Sequence, residues 1–470
     1  IGSRKNRTYK YSAIMSSLVL FKNNLRLDDN PVLFHASENS SILPIYIYDN
    51  VNIERDLGAA SKYWLHNSLR SLNKSLDNRL VFLKGDTSKI VCDLIKSNNI
   101  NKVFCEKPFQ ENDIKIFNNL KNTLSKINNV EFLFFNTTLL WEPSDILKND
   151  NTPYKVFTPF YRKGCLTKTE PRPPLNSPKN IKYLDYDNKT NLDDLDLIDK
   201  YNWSEKFNSL WSVSESSAKN KLKDFLDNSI YNYKKGRDFP ASDFNSKLSP
   251  FIRFGLISVN RIWYELLNLK PSNDVDHFKS ELGWREFSYY LLYHFSFMKN
   301  KNFQKKFDNF EWEFNDDMFD LWKKGKTGFP LVDAGMRELW ETGYMHNRVR
   351  MVVASFLVKN LSIDWKRGED WFWDCLLDAD HASNIASWQW AAGTGADAAP
   401  YFRIFNPILQ SKKFDFEGEY ILKYVPELKK VPSNLLHEPW EYEGSLDYPK
   451  PMIDYRQSRE NALLKYSFIK

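Results

Sequence analysis

Between Asp378 and Pro407 the chain crowds the carboxylates of Asp378 and Asp380, the amide of Asn384, the indoles of Trp388 and Trp390, a glycine pair and Arg403 into thirty residues. Side chains of these types suit a buried polar pocket beside aromatic rings with a cation at its rim. Such a pocket can hold a large redox heterocycle next to a nucleic-acid base. Glu281, Trp284 and Arg285 share one helical face at i, i+3 and i+4. There an acid can pair with a base edge, an indole can stack on a base and a cation can hold a phosphate. A buried indole beside a salt bridge is the competing account. In His346–Met351, Asn347 and Met351 face one side, and Arg350 is a natural partner for a buried carboxylate such as Asp378. Tyr233 and Arg237 precede Asn245, Ser246, Lys247, Leu248 and Ser249, a run before Pro250 that resembles a helix start whose N–H groups hold a phosphate. An ordinary capped turn fits that run as well. Trp312, Trp365 and Trp388 are scattered, and on spacing alone they are core packing.

Two kinds of scaffold are expected to position these residues. Short apolar runs at Ser17–Phe21, Ile42–Tyr48, Leu80–Lys84, Lys102–Cys105 and Glu131–Phe135 read as strands, with helices such as Ala59–Leu76 and Asp113–Ile127 between them. Alternating strands and helices predict an α/β domain with a doubly wound parallel sheet over residues 15–141. No Gly-x-Gly-x-x-Gly follows the first strand, so a nicotinamide fingerprint is absent. Residues 142–202, with Pro171, Pro173, Pro174 and Pro178 among many Asn, Asp and Lys, read as a long connector laid over the surface. From 203 to 470 helical patterns take over (Ser217–Asn232, Val259–Leu269, Phe278–His294, Val332–Thr342, Met345–Asn360), which predicts an all-α domain. Thirteen of the 15 Trp lie from Trp203 onward, so the two halves do different work. A formal net charge of +6 is a modest basic excess that matters only if clustered. The four cysteines lack metal-ligand or disulfide-framework spacing, which points to reduced structural thiols, no metal and a cytoplasmic setting. The polar, basic residues 1–14 read as a leading arm before a start at Met15.

Taken together, the motifs resemble the photolyase/cryptochrome family from Ser17 to about Tyr466. The opening Phe21–Asn30, then Asn245–Pro250, Trp284-Arg285-Glu286, Gly325–Pro330, Met345–Met351 and Trp388–Pro407 follow the family's order. The resemblance implies FAD in the helical domain. Tyr233 and Asn245–Ser249 would cradle its phosphates, and Arg285, Asn347, Arg350, Asp378 and Asp380 would line the flavin and ribose. Asn384 falls where photolyases face flavin N5, a place where plant cryptochromes put Asp and insect ones Cys. Members that repair (6-4) photoproducts carry two His at the positions of Asn347 and Met351. Trp390 stands where DASH-type cryptochromes usually have Tyr. On these grounds the chain most resembles class I cyclobutane pyrimidine dimer photolyases. Lys22, Asn24, Asn245, Lys247 and Tyr344 depart from the usual pattern.

The family's activity follows as an expectation. Light-excited reduced FAD donates an electron to a flipped-out cyclobutane dimer, the ring splits and the electron returns. Trp284 and Trp390 would wedge the dimer, Glu281 would bond its base edge and Met351 would pack against it. Arg237, Arg348, Arg403 and Lys413 would hold phosphates, while Trp388, Trp365 and Trp312 would carry electrons to oxidised flavin. Asn112 and Asp113 would touch a second, light-harvesting chromophore, with methenyltetrahydrofolate favoured, 8-hydroxydeazaflavin the alternative and an empty pocket the third case. The partner is DNA carrying UV-induced pyrimidine dimers, met by a monomer. A blue-light signalling cryptochrome and a (6-4) photolyase are the alternatives, with a dark flavoenzyme far behind.

Overall fold

The structure is a computed structural model that describes residues 15–38, 40–127, 129–198, 202–398 and 402–470, so the leading arm, Tyr201 and Tyr401 lie outside the described residues. Five apolar runs form strands at Met15–Phe21 (β1), Ser40–Tyr48 (β2), Val81–Lys84 (β3), Lys102–Glu106 (β4) and Glu131–Phe135 (β5). They pair in parallel in the order β3-β2-β1-β4-β5. The period of two sends neighbouring residues to opposite faces. Leu18, Leu43 and Val103 turn to one face, covered by the Thr87–Asn98 and Glu111–Leu124 helices. Val19, Ile42 and Phe104 turn to the other, where they join a core continuous with that of the helical domain. Both faces are buried, as a parallel sheet requires.

Strand order reverses between β1 and β4, and in open α/β sheets ligands bind at that switch point, beyond the carboxyl ends of the strands. A cavity of about 680 Å³ lies there, lined from the sheet side by Tyr46, Tyr48 and Glu106 and from the helical side by Tyr289, Glu369 and Trp373.

The run after β1 plugs the α/β domain into the helical one. Arg26, 1% exposed, donates to the carbonyls of Asp28, Asp29, Thr137 and Gly255. Gly255 has φ +70°, and a Cβ there would stand 1.8 Å from the Asn23 carbonyl, so the close approach requires glycine. In the helical half, the Asn273–His294 helix begins five residues before the expected Phe278 because Ser272 accepts from the Val275 amide and Asp274 and Asp276 sit in its first turn. The expected Met345–Asn360 helix is instead an α-helix at Asn347–Ser355, capped by His346, followed by a π-helical turn at Phe356–Asn360.

One expectation is corrected. The connector does not simply lie on the surface. Phe157–Pro159 and Phe160–Cys165 are successive helical turns, and Phe157, Phe160, Tyr161 and Cys165 are buried against the Asn273–His294 helix. Prolines and polar residues dominate the composition of 142–202, and three aromatic residues and a cysteine within nine positions carried the opposite signal. All four cysteines are free and buried. Among the described residues no helix is long and apolar enough to cross a membrane.

Candidate functional site

The bed of the site is built where four helices meet: Asn273–His294, Asn347–Ser355, Trp365–Cys375 and His381–Ala392, the last packing on the other three. At its centre Arg350 donates from Nη2 to Asp378 Oδ2 at 2.9 Å, and Ser249 Oγ donates to the same oxygen at 2.5 Å. The partnership expected for Arg350 and Asp378 is therefore formed. Asp378 Oδ1 and Asn245 Nδ2 are buried and have no partner among the described residues. A buried orphan acceptor and donor are costly unless a ligand completes them. Between them Lys247 takes φ 50°, turning the Asn245–Leu248 loop sharply into the short Ser249–Arg253 helix. Tyr233 is buried under the Arg237 guanidinium.

Asp380 caps the next helix by accepting from the Ser383 amide at 2.8 Å, and it accepts from the Tyr289 hydroxyl at 2.5 Å. Burial works to raise its pKa, but the Arg253 and Arg285 guanidiniums outweigh it and hold the carboxyl below its ordinary range. Arg285 donates to the Thr138 carbonyl at 2.8 Å and lies over the Tyr289 ring. Its neighbour Glu286 serves the domain contact instead, accepting from the Leu140 and Trp141 amides. Burial pushes this carboxyl up to about 7 despite Arg285.

Asn384 is buried, and its Nδ2 donates to the Glu369 carbonyl at 3.1 Å and to Glu369 Oε1 at 2.7 Å. Both amide hydrogens are thus used, and Oδ1 is the end left to face a ligand. Glu369 in turn accepts from Arg55 Nη1 through both oxygens, at 2.9 and 2.8 Å. Arg55 comes from the α/β domain and stacks on Trp373. Sequence reasoning missed Glu369, Arg55, Arg253 and Tyr289. Each lies remote in sequence from its partner, and no local spacing marks it.

The residues expected at the DNA side are placed with mixed results. Trp284, Met351 and Trp390 are partly buried on three of the four packed helices. Glu281 and Arg237, expected to serve a base edge and a phosphate separately, form a two-pronged ion pair with each other, joined by His277. Arg348 is likewise engaged by Asp238 at 2.8 Å, and it shares the Phe414 ring with exposed Lys413. Arg403 is exposed, its guanidinium over Phe405. Asn347 is exposed at the first turn of its helix, away from the described contacts of Asp378. Trp388 is buried and its ring neighbours are Phe372 and Trp322 rather than Trp365. Trp365 gives its indole N–H to Asn302, and Trp312 packs on Phe310. Asn112 and Asp113 line the cavity at the sheet's carboxyl end, where Lys22 pairs with Asp113. A second slot of about 220 Å³ lies beside the Lys206 side chain, bordered by the exposed indoles of Trp203 and Trp340.

Two family profiles match the sequence. DNA photolyase covers residues 17–179, and the FAD binding domain of DNA photolyase covers residues 278–467. A deoxyribodipyrimidine photo-lyase of Agrobacterium fabrum is 41% identical over 96% of this chain and 98% of its own. Cryptochrome-2 of Arabidopsis thaliana is 32% identical over 94% of this chain and 77% of its own. Among solved structures, a bacterial class III photolyase from Agrobacterium tumefaciens superposes with TM-score 0.94 at 40% identity, covering 98% of this chain and 99% of that one. An archaeal photolyase from Sulfolobus tokodaii with two FAD molecules superposes with TM-score 0.84 at 30% identity, covering 97% and 100%. The class III structure lends no support to the narrower expectation of class I. Orphaned polar atoms beside Arg350 and Ser249 fit an FAD-binding domain, and the likeness runs through both halves. The chain belongs to the photolyase/cryptochrome family.

Proposed function

We propose that the protein is a light-driven DNA repair enzyme, a deoxyribodipyrimidine photo-lyase acting on cyclobutane pyrimidine dimers. The observation that carries this reading is Asn384, an amide locked by Glu369 with its oxygen free among the described residues. Facing the N5 edge of a flavin, that oxygen would accept a hydrogen bond from a reduced ring and would have no acidic proton to deliver. When bound, reduced FAD would supply the light-driven one-electron chemistry, lending the electron that opens the cyclobutane ring and taking it back. Asn245 Nδ2, Ser249, Arg350 and Asp378 would hold its phosphates and ribose, and Arg285 and Asp380 would border the ring. Trp284, Trp390 and Met351 enclose the extruded dimer, and stacking on an indole contributes about 1–3 kcal/mol per base. Glu281 bonds the base edge, and Arg237 orients that carboxylate as well as meeting phosphate. Arg403 and Lys413, both exposed, hold the backbone. Trp388, Trp365 and Trp312 pass electrons toward oxidised flavin.

A second chromophore, a folate in preference to a deazaflavin, belongs in the cavity lined by Asn112 and Asp113. The slot between Trp203 and Trp340 is the other seat, since two exposed indole rings favour a planar heterocycle. Substituting Asp113 or Trp340 and assaying the bound chromophore separates the two. Likeness to a plant cryptochrome supports a signalling role as the second reading. The deciding experiment follows a thymine dimer in a short oligonucleotide with pre-reduced enzyme, under blue light and in the dark. Light-dependent loss of the dimer is expected. Its absence with FAD bound would point to a (6-4) lesion and then to signalling.

A further inference from the structure

We propose that Phe157 and Tyr161, from the segment joining the two domains, are positioning residues that fix the plane of Trp284 where it meets the dimer. The inference rests on the repair reading above. Phe157 stacks on Trp284 with centroids 3.8 Å apart and planes 12° from parallel, and Tyr161 in turn stacks on Phe157 at 5.5 Å and 9°. The three rings form one column. Phe157 and Tyr161 are each 8% exposed, and Trp284 is the partly exposed member.

Specific features hold the column in place. Tyr161 lies directly on the Asn273–His294 helix at Gly283, where a Cβ would come within 2.6 Å of Tyr161 Cδ2. The Phe157 amide donates to Asp397 Oδ2 at 3.0 Å, and Asp397 holds a left-handed φ of 53° to do so. Asp397 sits in the loop that follows the helix bearing Trp390. The segment that backs one dimer-facing indole is therefore pinned to the element carrying the other. Phe287 closes the side of Trp284 edge-on, at 6.0 Å and 72°. An indole on a bare helix face samples several rotamers. One clamped between a stacked ring and an edge has already lost that freedom, and preorganisation of this kind appears as affinity.

The test measures binding of a thymine-dimer oligonucleotide and its undamaged counterpart in the dark, with FAD-loaded wild type, Phe157→Leu, Trp284→Ala and the double variant. Loss of one well-stacked aromatic pair predicts that Phe157→Leu weakens dimer binding by about three- to tenfold. Undamaged-DNA affinity and FAD photoreduction stay unchanged. Under light, KM rises while kcat at saturating DNA does not. In the Trp284→Ala background the second substitution has no further effect, because Phe157 acts through the indole. Phe157→Tyr restores binding. Asp397→Ala, which releases the Phe157 backbone without touching a ring, repeats the weaker binding should Phe157→Leu fold poorly. Additive losses in the double variant, or equal losses on undamaged DNA, would overturn the column while leaving the repair reading intact. A wild type without preference for the dimer would overturn both.

Discussion

Removing Arg55 tests whether the α/β domain controls the Asn384 amide through Glu369. Arg55 bonds both oxygens of Glu369, and the two side chains are 28% and 7% exposed. Stripping a partner from a fully buried pair costs about 3–5 kcal/mol, and an exposed pair is worth about 0–1 kcal/mol. Arg55 lies between these cases, so Arg55→Met is expected to cost about 2 kcal/mol. An unfolding entropy of about 2.1 cal/mol/K per residue over a chain of this length gives about 1 kcal/mol per degree, hence a Tm lower by about 2 °C. The pH dependence has a definite sign. Burial raises the Glu369 carboxyl above its ordinary 4.5, and Arg55 opposes that rise. Without Arg55 the folded pKa climbs further, so the folded variant holds its proton better than the unfolded chain does. Stability therefore falls as pH rises from about 4.5 through the folded pKa. The Tm deficit of Arg55→Met should be small near pH 5 and full at pH 8, measured by thermal unfolding of the FAD-loaded proteins. A protonated Glu369 also stops holding Asn384 in one sense, so reduced FAD in the variant should reoxidise faster in the dark. A deficit that is equal at both pH values, or larger in acid, would refute the assignment of Glu369 as a buried carboxylate stabilised from across the domain boundary.

Glu281→Gln should weaken dimer binding by about tenfold, the worth of a charged hydrogen bond. It should strengthen binding to undamaged DNA, because Arg237 loses its partner; competition binding with both oligonucleotides reads the two signs together. Trp365→Phe should slow photoreduction of oxidised FAD, followed by absorbance under blue light, while repair by pre-reduced enzyme is unchanged. Arg403→Ala should reduce the log–log salt slope of duplex binding by about 0.9, the value for one free cation. Arg348→Ala should reduce it by less, since Asp238 already engages that charge.

Much of the architecture was legible because it is written in short-range patterns. The five expected strands differ from the observed ones by at most two residues at either end, since apolar runs between turn residues report local geometry directly. Arg350 with Asp378 was foreseeable because a cation and a carboxylate in two apolar helical surroundings have few other solutions. The rest was hidden by distance. Nothing within 300 residues of Arg55 marks Glu369 as its partner. Glu281 and Arg237 each looked suited to DNA, and their mutual pairing depends on how two remote segments approach. Phe157 was lost in a connector whose prolines and amides outweighed its aromatic residues. Composition averages over a segment, whereas burial is decided residue by residue.

These hidden contacts share a direction, which bears on how the protein works. Arg55 reaches Glu369, Arg285 reaches the Thr138 carbonyl, Glu286 holds the Leu140 and Trp141 amides, and Arg253 donates to Asn23 Oδ1. In each case a side chain at or beside the helical site is oriented by the α/β domain. The boundary between the domains therefore runs along the edge of the site, and the Val19 face of the sheet shares one apolar core with the helical half. A hinge along that boundary would break the ties that aim Arg285 and Asn384. The α/β domain is accordingly a fixed wall of the helical site. A chromophore bound at the sheet's carboxyl end would keep a constant distance and angle to the helical site, the two quantities that set the efficiency of energy transfer between bound chromophores.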